Sequence, residues 1–481
     1  MNKRNDTTER KSTQLAVIGA GPGGYAAAFL AADLGLTVTL IDTEPDPGGV
    51  CLFRGCIPSK ALLHVAKLLA EARAAAEWGI RFGEPDIDLA TLRKWKEGVV
   101  GQLTGGLGQL ARQHKVDFIQ GRAHFRAARQ LRISPVEGGA FDLSCEHVIL
   151  ATGSRPSHIP GIETDSRRIL DSSRALELEK IPSTLLVVGG GYIGLEMGTV
   201  YAALGSRVTV VEMMDGLLPG VDRDLIKPVQ KSLAERFDRI LLQARVENMA
   251  EKRDGLEVTI RPEGDDAVTE RFDAVLVAIG RRPNSADLGL ENTGVKTDER
   301  GFIQVNPQRR THDPAIYAIG DVAGEPMLAH KATHEGRVAA EAIAGHKTAF
   351  EPRAIPAVVF TDPELAWCGL TENEARAQDR RVEIVRFPWA ASGRALTMGR
   401  PDGLTKLLID PDTERILGMG VVGAGAGELI AEGVLAVEMA ALATDLKLSI
   451  HPHPTLSETV MEAAEMLFGQ STHVYRPRRR R

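Results

Sequence analysis

An α/β chain is predicted by three observations. A strand–glycine turn–helix–strand pattern ending on an acid occurs twice, further apolar strands end in glycine, and the glycine fingerprints stop at about residue 351. The expected architecture is two Rossmann-like nucleotide-binding domains followed by a C-terminal α+β domain. The length of 481 residues suits about three domains. The expected divisions are a flexible tail at 1–13, a first nucleotide domain at 14–155, a second at 156–278, a return to the first at 279–350, the C-terminal domain at 351–470 and a basic tail at 471–481.

In the first copy, Leu15-Ala16-Val17-Ile18 leads into Gly19-Ala20-Gly21-Pro22-Gly23-Gly24. An alanine-rich helix then runs to about Asp33, and a strand from Val38 to Ile41 ends on Asp42. In the second, Leu185 to Val188 leads into Gly189-Gly190-Gly191-Tyr192-Ile193-Gly194, and the strand Val208 to Val211 ends on Glu212. Gly19, Gly21 and Gly24, like Gly189, Gly191 and Gly194, permit the tight turn and bring backbone N–H groups to a pyrophosphate at the helix start. Each acid lies 23 residues after the first glycine, the distance at which it meets an adenosine ribose hydroxyl. Glu212 would repel a 2′-phosphate, and Met213 and Met214 offer no base to offset it, so NAD is expected over NADP.

Between the copies stands Cys51-Leu52-Phe53-Arg54-Gly55-Cys56-Ile57-Pro58-Ser59-Lys60, ahead of a helical pattern from Ala61 to about Glu77. A thiol at a helix start faces unpaired N–H groups and the positive end of the dipole, which stabilise a thiolate. Pro58 fits the first helical position, so Cys56 is the expected low-pKa thiol, with Cys51 in reach for a disulfide. A metal site would need two further ligands, and none stands at tetrahedral spacing. A structural disulfide is disfavoured with four cysteines and no secretory signal. Redox chemistry is the reading that the neighbouring residues favour.

The runs Val148 to Gly153 and Ala274 to Gly280 read as buried strands ending in glycine, where the chain passes between nucleotide domains. Thr311 to Asp321 is a third, delivering Asp321 at its carboxyl end, the ligand end of an open α/β sheet, within reach of a flavin ribitol. Read singly, each is also an ordinary core strand. Beyond Glu351, the apolar runs Ala357–Phe360, Val382–Phe387, Leu404–Ile409 and Ile416–Val422 predict an antiparallel sheet, with a helix over Glu428–Ala441. The domain closes on His451-Pro452-His453-Pro454-Thr455-Leu456-Ser457-Glu458. The prolines fix the direction of the His453 ring, and Glu458 would orient it as a base; two surface histidines in a turn is the plainer alternative.

A net charge of −6 and a pI near 6.1 argue against nucleic acid. No apolar run reaches the length of a membrane span. The charged residues of 1–13 read as the tail of a cytoplasmic protein, and Arg476 and Arg478 to Arg481 as a solvated basic run.

The order of these motifs, from the first fingerprint through Cys-x4-Cys, Ala151-Thr152-Gly153, the second fingerprint, Ala278-Ile279-Gly280-Arg281 and Ala318-Ile319-Gly320-Asp321 to His453-Pro454-Thr455-x-x-Glu458, resembles the FAD-containing pyridine nucleotide–disulfide oxidoreductases over nearly the whole chain. Within them it is most similar to members that oxidise dihydrolipoamide for 2-oxo acid dehydrogenase complexes, above all at Leu103–Leu107, Met327–Ala332, Phe387–Ala395 and His453–Leu456. The resemblance implies FAD and NAD as cofactors and a homodimer, joined through the C-terminal domain, whose active site lies at the subunit interface. A lipoyl-bearing protein and an acyltransferase core would be its partners. It implies Cys51 as interchange thiol, Cys56 as the flavin-side thiol, Lys60 and Glu196 as a pair at the reactive flavin edge, His453 as base with Glu458 as its partner, and His451 as a non-catalytic neighbour. By the same motif positions Gly19, Gly21, Gly24, Asp42, Lys60, Thr152, Gly153, Asp321 and Ala329 would hold FAD, and Gly189, Gly191, Gly194, Glu212 and Gly280 NAD. Two departures stand out: Phe53-Arg54 replaces the usual Asn-Val, and Asp42 stands where Glu is usual. A glutathione-reductase-like enzyme and a non-catalytic scaffold flavoprotein are the alternatives. Glu212 argues against the first, and the retention of every chemical residue against the second.

Overall fold

The computed structural model describes residues 10–162 and 166–475. Residues 1–9 of the N-terminal tail and Arg476 to Arg481 lie outside them. The chain separates into two compact units, one of residues up to Ala61, Asp88–Ser157 and Gly280–Glu351, the other of Leu62–Ile87, His158–Ile279 and from Pro352 onward.

The first unit is built on a parallel sheet whose strands run Asp117–Ala127, Val38–Asp42, Arg10–Ile18, Phe141–Leu150 and Ile316–Ala318, in that order. A further strand, Gln130–Pro135, joins the first and fourth as an antiparallel hairpin. Leu15, Val17, Leu40 and Ile149 face one layer of core, with Ala27, Ala28 and Ala31 of the Pro22–Asp33 helix. Ala16, Ile41, Val148 and Leu150 face the other. Continuous apolar runs suit strands covered on both faces. The Pro22–Asp33 helix crosses the Ala329–Ile343 helix at backbone distance: a Cβ on Gly336 would lie 2.4 Å from the Gly23 carbonyl.

Two sequence expectations change here. Residues 10–13 are not tail but the start of the first strand, paired in parallel with Asp142 to Cys145. Backbone pairing is indifferent to the polar side chains that make this stretch look like tail. The helix over Ala61–Glu77 begins earlier, at Cys56, and ends at Ala74, so Pro58 is its third residue. Cys51 lies in a short helix of its own, Gly49–Arg54.

The second unit contains a parallel sheet in the order Arg239–Leu241, Arg207–Val211, Thr184–Val188, Ala274–Val277, Ile169–Leu170, and a three-stranded antiparallel sheet over 244–272. Its C-terminal part carries an antiparallel sheet in the order Ala357–Val359, Glu364–Gly369, Ile416–Gly423, Leu404–Ile409, Glu383–Pro388. The Glu364–Gly369 strand is absent from the sequence reading because it is short and opens on an acid. Trp389 is buried over Gly423 of this sheet and Gly403 just before it, and a Cβ on Gly423 would fall 2.2 Å from its ring. Its indole N–H donates to Thr405 Oγ1 (2.9 Å), which lies 2.8 Å from Thr459 Oγ1 on the Glu458–Leu467 helix.

Beside this sheet a buried ion network forms. The Lys406 ammonium, 0% exposed, donates to Asp222 (2.6 Å), Asp224 (2.7 Å) and Glu372 (2.9 Å), and Arg386 adds a second cation to Asp224 and Glu372. The three carboxylates are close enough to hold a metal ion, but the ammonium fills that place. Among the described residues no helix is long and apolar enough to cross a membrane.

Candidate active site

The two fingerprints fold into the same device. Gly19 and Gly189 take φ of +101° and +108°, and a Cβ on either would lie within 2.5 Å of a carbonyl of the neighbouring strand, Ala151 or Ala278. Gly24 and Gly194 admit no Cβ either, since it would meet the carbonyl of the first glycine at 1.8 and 2.2 Å. The middle glycines differ. A Cβ on Gly191 would meet nothing within 4 Å, and one on Gly21 only the Cα of Gly49 at 4.0 Å. The protein itself has room there, so the demand for glycine comes from what lies outside the backbone. These glycines are the N-caps of Pro22–Asp33 and Tyr192–Ala203, and neither helix has a side-chain cap. A helix start of this kind suits an anion such as a pyrophosphate.

The acids repeat the symmetry. Asp42 accepts the Ala20 N–H (2.5 Å) and the Glu44 N–H (3.0 Å). Glu212, 8% exposed, accepts the Gly190 N–H (2.7 Å) and the Met214 N–H (2.7 Å). Each carboxylate is oriented by the second fingerprint residue and by the backbone two residues on. Each oxygen keeps a lone pair for a ribose hydroxyl. The residues therefore fit one dinucleotide in each unit.

The other residues of the first unit expected to hold FAD lie among hydrogen bonds. Thr152 Oγ1 donates to the Asn284 carbonyl (2.8 Å), and the Asn284 N–H donates to that of Gly153 (2.9 Å). Ser154 Oγ donates to Asp321 (2.5 Å) while Arg281 Nε donates to Ser154 Oγ (2.7 Å). The fully buried Glu335 accepts the Gly320 N–H (2.6 Å) and pairs with Arg309 and Lys331, which fixes the turn presenting Asp321. Sequence reading missed Ser154, Arg281 and Glu335; for the first two, their position directly after the glycine-ended strands was the available signal, and Glu335, inside the Ala329–Ile343 helix, offered none. Ala329 opens its helix, which has no side-chain cap. In the second unit Gly280's neighbour Ile279 follows the strand whose Ala278 backs Gly189, and Gly280 itself takes φ of +113°.

Cys51 and Cys56 meet where the Gly49–Arg54 helix abuts the start of Cys56–Ala74, with Gly55 between them. A Cβ on Gly55 would lie 2.8 Å from the Val50 carbonyl, so only glycine allows the turn. Hydrogen bonding to Cys56 pushes the Cys51 thiol well above its usual range; burial adds to this and Lys60 opposes it. Lys60 lies one turn further along the same helix. Glu196 is buried on Tyr192–Ala203 and accepts the Phe360 N–H (2.9 Å).

His453 Nδ1 lies 2.9 Å from Glu458 Oε1, and the other Glu458 oxygen accepts the Thr455 N–H (2.7 Å). The ring is 74% exposed and the carboxylate 20%, so Nε2 faces outward while Nδ1 is held. Burial would raise the Glu458 carboxyl, but the Thr455 N–H and His453 outweigh it and hold it below its usual value. Thr459, tied to Thr405, anchors the helix on which Glu458 stands. His451 is engaged on both nitrogens, by Ser449 O (2.9 Å) and Glu432 (2.8 Å), which leaves it no free base.

Comparison with known proteins decides what this arrangement belongs to. Residues 13–336 match the pyridine nucleotide-disulphide oxidoreductases, and residues 355–464 the dimerisation domain of the same proteins. The chain belongs to this family. It is 49% identical to a dihydrolipoyl dehydrogenase of Vibrio cholerae over 95% of this chain and 96% of that one. A dihydrolipoyl dehydrogenase of Thermus scotoductus is 46% identical over 96% and 99%. Among solved structures, LpdA of Mycobacterium tuberculosis superposes with a TM-score of 0.87 at 29% identity, covering 95% and 99%. The HOCl-induced flavoprotein disulfide reductase RclA of Escherichia coli gives 0.83 at 28%, covering 94% and 100%.

Proposed function

We propose that this enzyme oxidises protein-bound dihydrolipoamide to lipoamide and reduces NAD to NADH. The observation that carries the reading is the full-length likeness, at 44–49% identity, to proteins named dihydrolipoyl dehydrogenase. The paired thiols and the His453–Glu458 dyad supply the chemistry it needs. When bound, FAD and NAD supply two-electron carriage away from the dithiol. Gly19, Gly21, Gly24, Asp42, Lys60, Thr152, Gly153, Asp321 and Ala329 would hold FAD, and Gly189, Gly191, Gly194, Glu212 and Gly280 would hold NAD.

The chain's own residues act on the thiols. His453 takes a proton from one dihydrolipoamide thiol, with Glu458 stabilising the cation formed. That thiolate attacks Cys51 of the Cys51–Cys56 disulfide, and Cys56 leaves as a thiolate at the start of its helix. The second dihydrolipoamide sulfur displaces Cys51 from the mixed disulfide, releasing lipoamide and leaving the pair reduced. Lys60 and Glu196 would form the charge pair at the flavin edge.

The reading includes a homodimer in which Cys51 of one subunit works with His453 of the partner subunit. Supporting it, Leu435, Met439, Leu448 and Ile450 (98% exposed) leave apolar surface bare close in sequence to His453. Protein partners would be a lipoyl-bearing domain and the acyltransferase core of a 2-oxo acid dehydrogenase complex. A cytoplasmic location is supported by the few cysteines, four in 481 residues.

A mixed dimer of His453→Gln and Cys51→Ser chains tests the reading. Each homodimer should lose about a hundredfold or more of dihydrolipoamide oxidation. With shared sites, the mixed dimer holds one intact and one doubly defective site and recovers about half the wild-type rate. Recovery near zero would place both groups on one chain, and wild-type rates in the homodimers would sink the activity itself.

A further inference from the structure

The loop that follows Glu212 closes back on the second fingerprint. The Leu218 N–H donates to the Gly190 carbonyl (3.0 Å), while the Gly190 N–H donates to Glu212 (2.7 Å). Leu217 is fully buried behind the same residue: a Cβ on Gly190 would fall 2.7 Å from it and 3.1 Å from the Glu212 carboxylate. Gly190 is thus gripped on both backbone groups, by the acid on one side and by the loop on the other. Leu218 sits at φ of +49°, a left-handed conformation that a leucine keeps only where its surroundings hold it. Arg223 supplies that hold. Its Nη1 donates to the Leu217 carbonyl (3.0 Å), its Nη2 to those of Leu218 and Val221 (2.9 Å each), and its Nε again to Val221 (3.2 Å). A planar fork of fixed N–H donors suits such converging carbonyls better than an ammonium would. Asp222 fixes the place of Arg223 in turn. Its carboxylate, 4% exposed, accepts the N–H groups of Glu372 (3.0 Å) and Asn373 (3.2 Å) as well as the Lys406 ammonium.

We propose that Arg223 is a positioning residue for the nucleotide: by clamping residues 217–221 it holds Gly190, and through Gly190 the direction of the Glu212 carboxylate towards the ribose of NAD. The inference rests on reading the second fingerprint as the NAD site. The donors of Arg223 go to the loop, so it works through Glu212 and not on the nucleotide. Its loss therefore matters only while Glu212 is there to be aimed. A cation acting directly on the nucleotide's phosphates would instead add its loss to that of Glu212, and a role in packing alone would lower the melting temperature and leave nucleotide binding as it was.

The test is the steady-state oxidation of dihydrolipoamide by holoenzyme with NAD varied. The Arg223 side chain is exposed, so water replaces part of the lost hold. Arg223→Met should leave the loop in its binding shape about a third of the time, which raises KM for NAD about threefold. The kcat should hold, as when binding is lost and chemistry is not. Arg223→Lys, which keeps the charge without the fork, should lie between. In a Glu212→Gln background Arg223→Met should change KM less than about 1.5-fold, the non-additivity of residues acting as one unit. Anaerobic reduction of the flavin by dihydrolipoamide, which uses no nucleotide, should match wild type in Arg223→Met. An unchanged KM in Arg223→Met, or an equal rise in both backgrounds, would overturn the proposal. A wild-type KM in Glu212→Gln alone would overturn the NAD reading beneath it as well. Should Arg223→Met fail to fold, Gly216→Ala decides, because its Cβ would lie 2.3 Å from Arg223 Nη1 and must push the guanidinium aside. KM must then rise beside Glu212 and not beside its Gln replacement.

Discussion

Replacing Glu212 by Gln keeps the size of the side chain and removes only its charge and one acceptor. The wild-type carboxylate is buried and already takes two backbone donors, from Gly190 and Met214, each at 2.7 Å. The amide can serve one of them; its NH2 faces the other. The unpaired N–H costs about 1–3 kcal/mol, and this cost falls on the apo turn, as a lower melting temperature without nucleotide. The ribose loses a hydrogen bond to a charged acceptor, worth about 1.5–3 kcal/mol. That is roughly ten- to 150-fold in kcat/KM for NAD. The same change removes the repulsion of a 2′-phosphate, so kcat/KM for NADP should hold or rise. Wild-type preference for NAD, expected to be about tenfold or more, should collapse towards unity in the variant. Steady-state rates with both nucleotides at fixed dihydrolipoamide, and melting of nucleotide-free protein, separate the two effects. An unchanged NAD-to-NADP ratio would refute the assignment of Glu212 as the discriminator.

Gly191→Ala should fold and retain flavin, because its Cβ meets nothing within 4 Å, yet raise KM for NAD about tenfold or more by intruding on the pyrophosphate path; an unchanged KM would count against that path. Glu458→Gln should slow dihydrolipoamide oxidation about tenfold or more while sparing NADH-driven dye reduction, which bypasses the thiols. Since the folded Glu458 carboxyl lies below its usual 4.5, its ionised form stabilises the fold above that value and the benefit is lost as pH falls through the lowered one. The melting gap between wild type and Glu458→Gln should therefore close on acidification. Lys406→Met leaves Asp222, Asp224 and Glu372 with Arg386 as the second cation, and should cost about 3–5 kcal/mol near neutral pH. Burial would raise Asp224, but Lys406 and Arg386 hold it low, so this loss too should shrink as acid protonates the carboxylates. Gly423→Ala should cost about 1–3 kcal/mol by pressing a methyl onto Trp389 at a φ of +150°.

What the sequence made legible was whatever repeats at fixed spacing for a local reason. The fingerprint glycines, the acids 23 residues on and the buried strands before them could be read because strand, turn and helix are contiguous and the first and last glycine of each turn answer a nearby carbonyl. The predicted strands Leu404–Ile409 and Ile416–Val422 meet observed Leu404–Ile409 and Ile416–Gly423 for the same reason. The helix over Glu428–Ala441 appears as Ala426–Glu438. Local pattern failed where backbone pairing ignores side-chain character, as at residues 10–13, and where one glycine redirects the chain, as Gly55 does in giving Cys51 a helix of its own.

The supports of the site escaped for another reason: they join residues far apart in sequence. Ser154 meets Asp321 across 167 residues, and Lys406 meets Asp222 across 184. No periodicity announces such pairs. Their chemistry is nonetheless constrained, because a buried charge must be paired, and each partner stands beside a residue whose direction matters. Glu335 takes the N–H of Gly320, next to Asp321; Thr405 gives its hydroxyl to Thr459, next to Glu458. In both cases a buried polar contact holds the neighbour of a site residue rather than the site carboxylate itself. That division predicts how their loss should differ from loss of the groups themselves. Thr405→Val strands the Trp389 N–H and leaves Thr459 tied only to the Leu456 carbonyl, yet leaves the His453–Glu458 hydrogen bond chemically intact. The rate of dihydrolipoamide oxidation should fall only severalfold, and the melting temperature should drop with it, as removal of a buried hydrogen-bond partner at about 1–3 kcal/mol requires. Glu458→Gln should show the reverse balance near neutral pH, a larger loss of rate for a smaller loss of stability. An unchanged rate in Thr405→Val beside a lowered melting temperature would mean that Thr405 belongs to the fold alone and does nothing to aim the dyad.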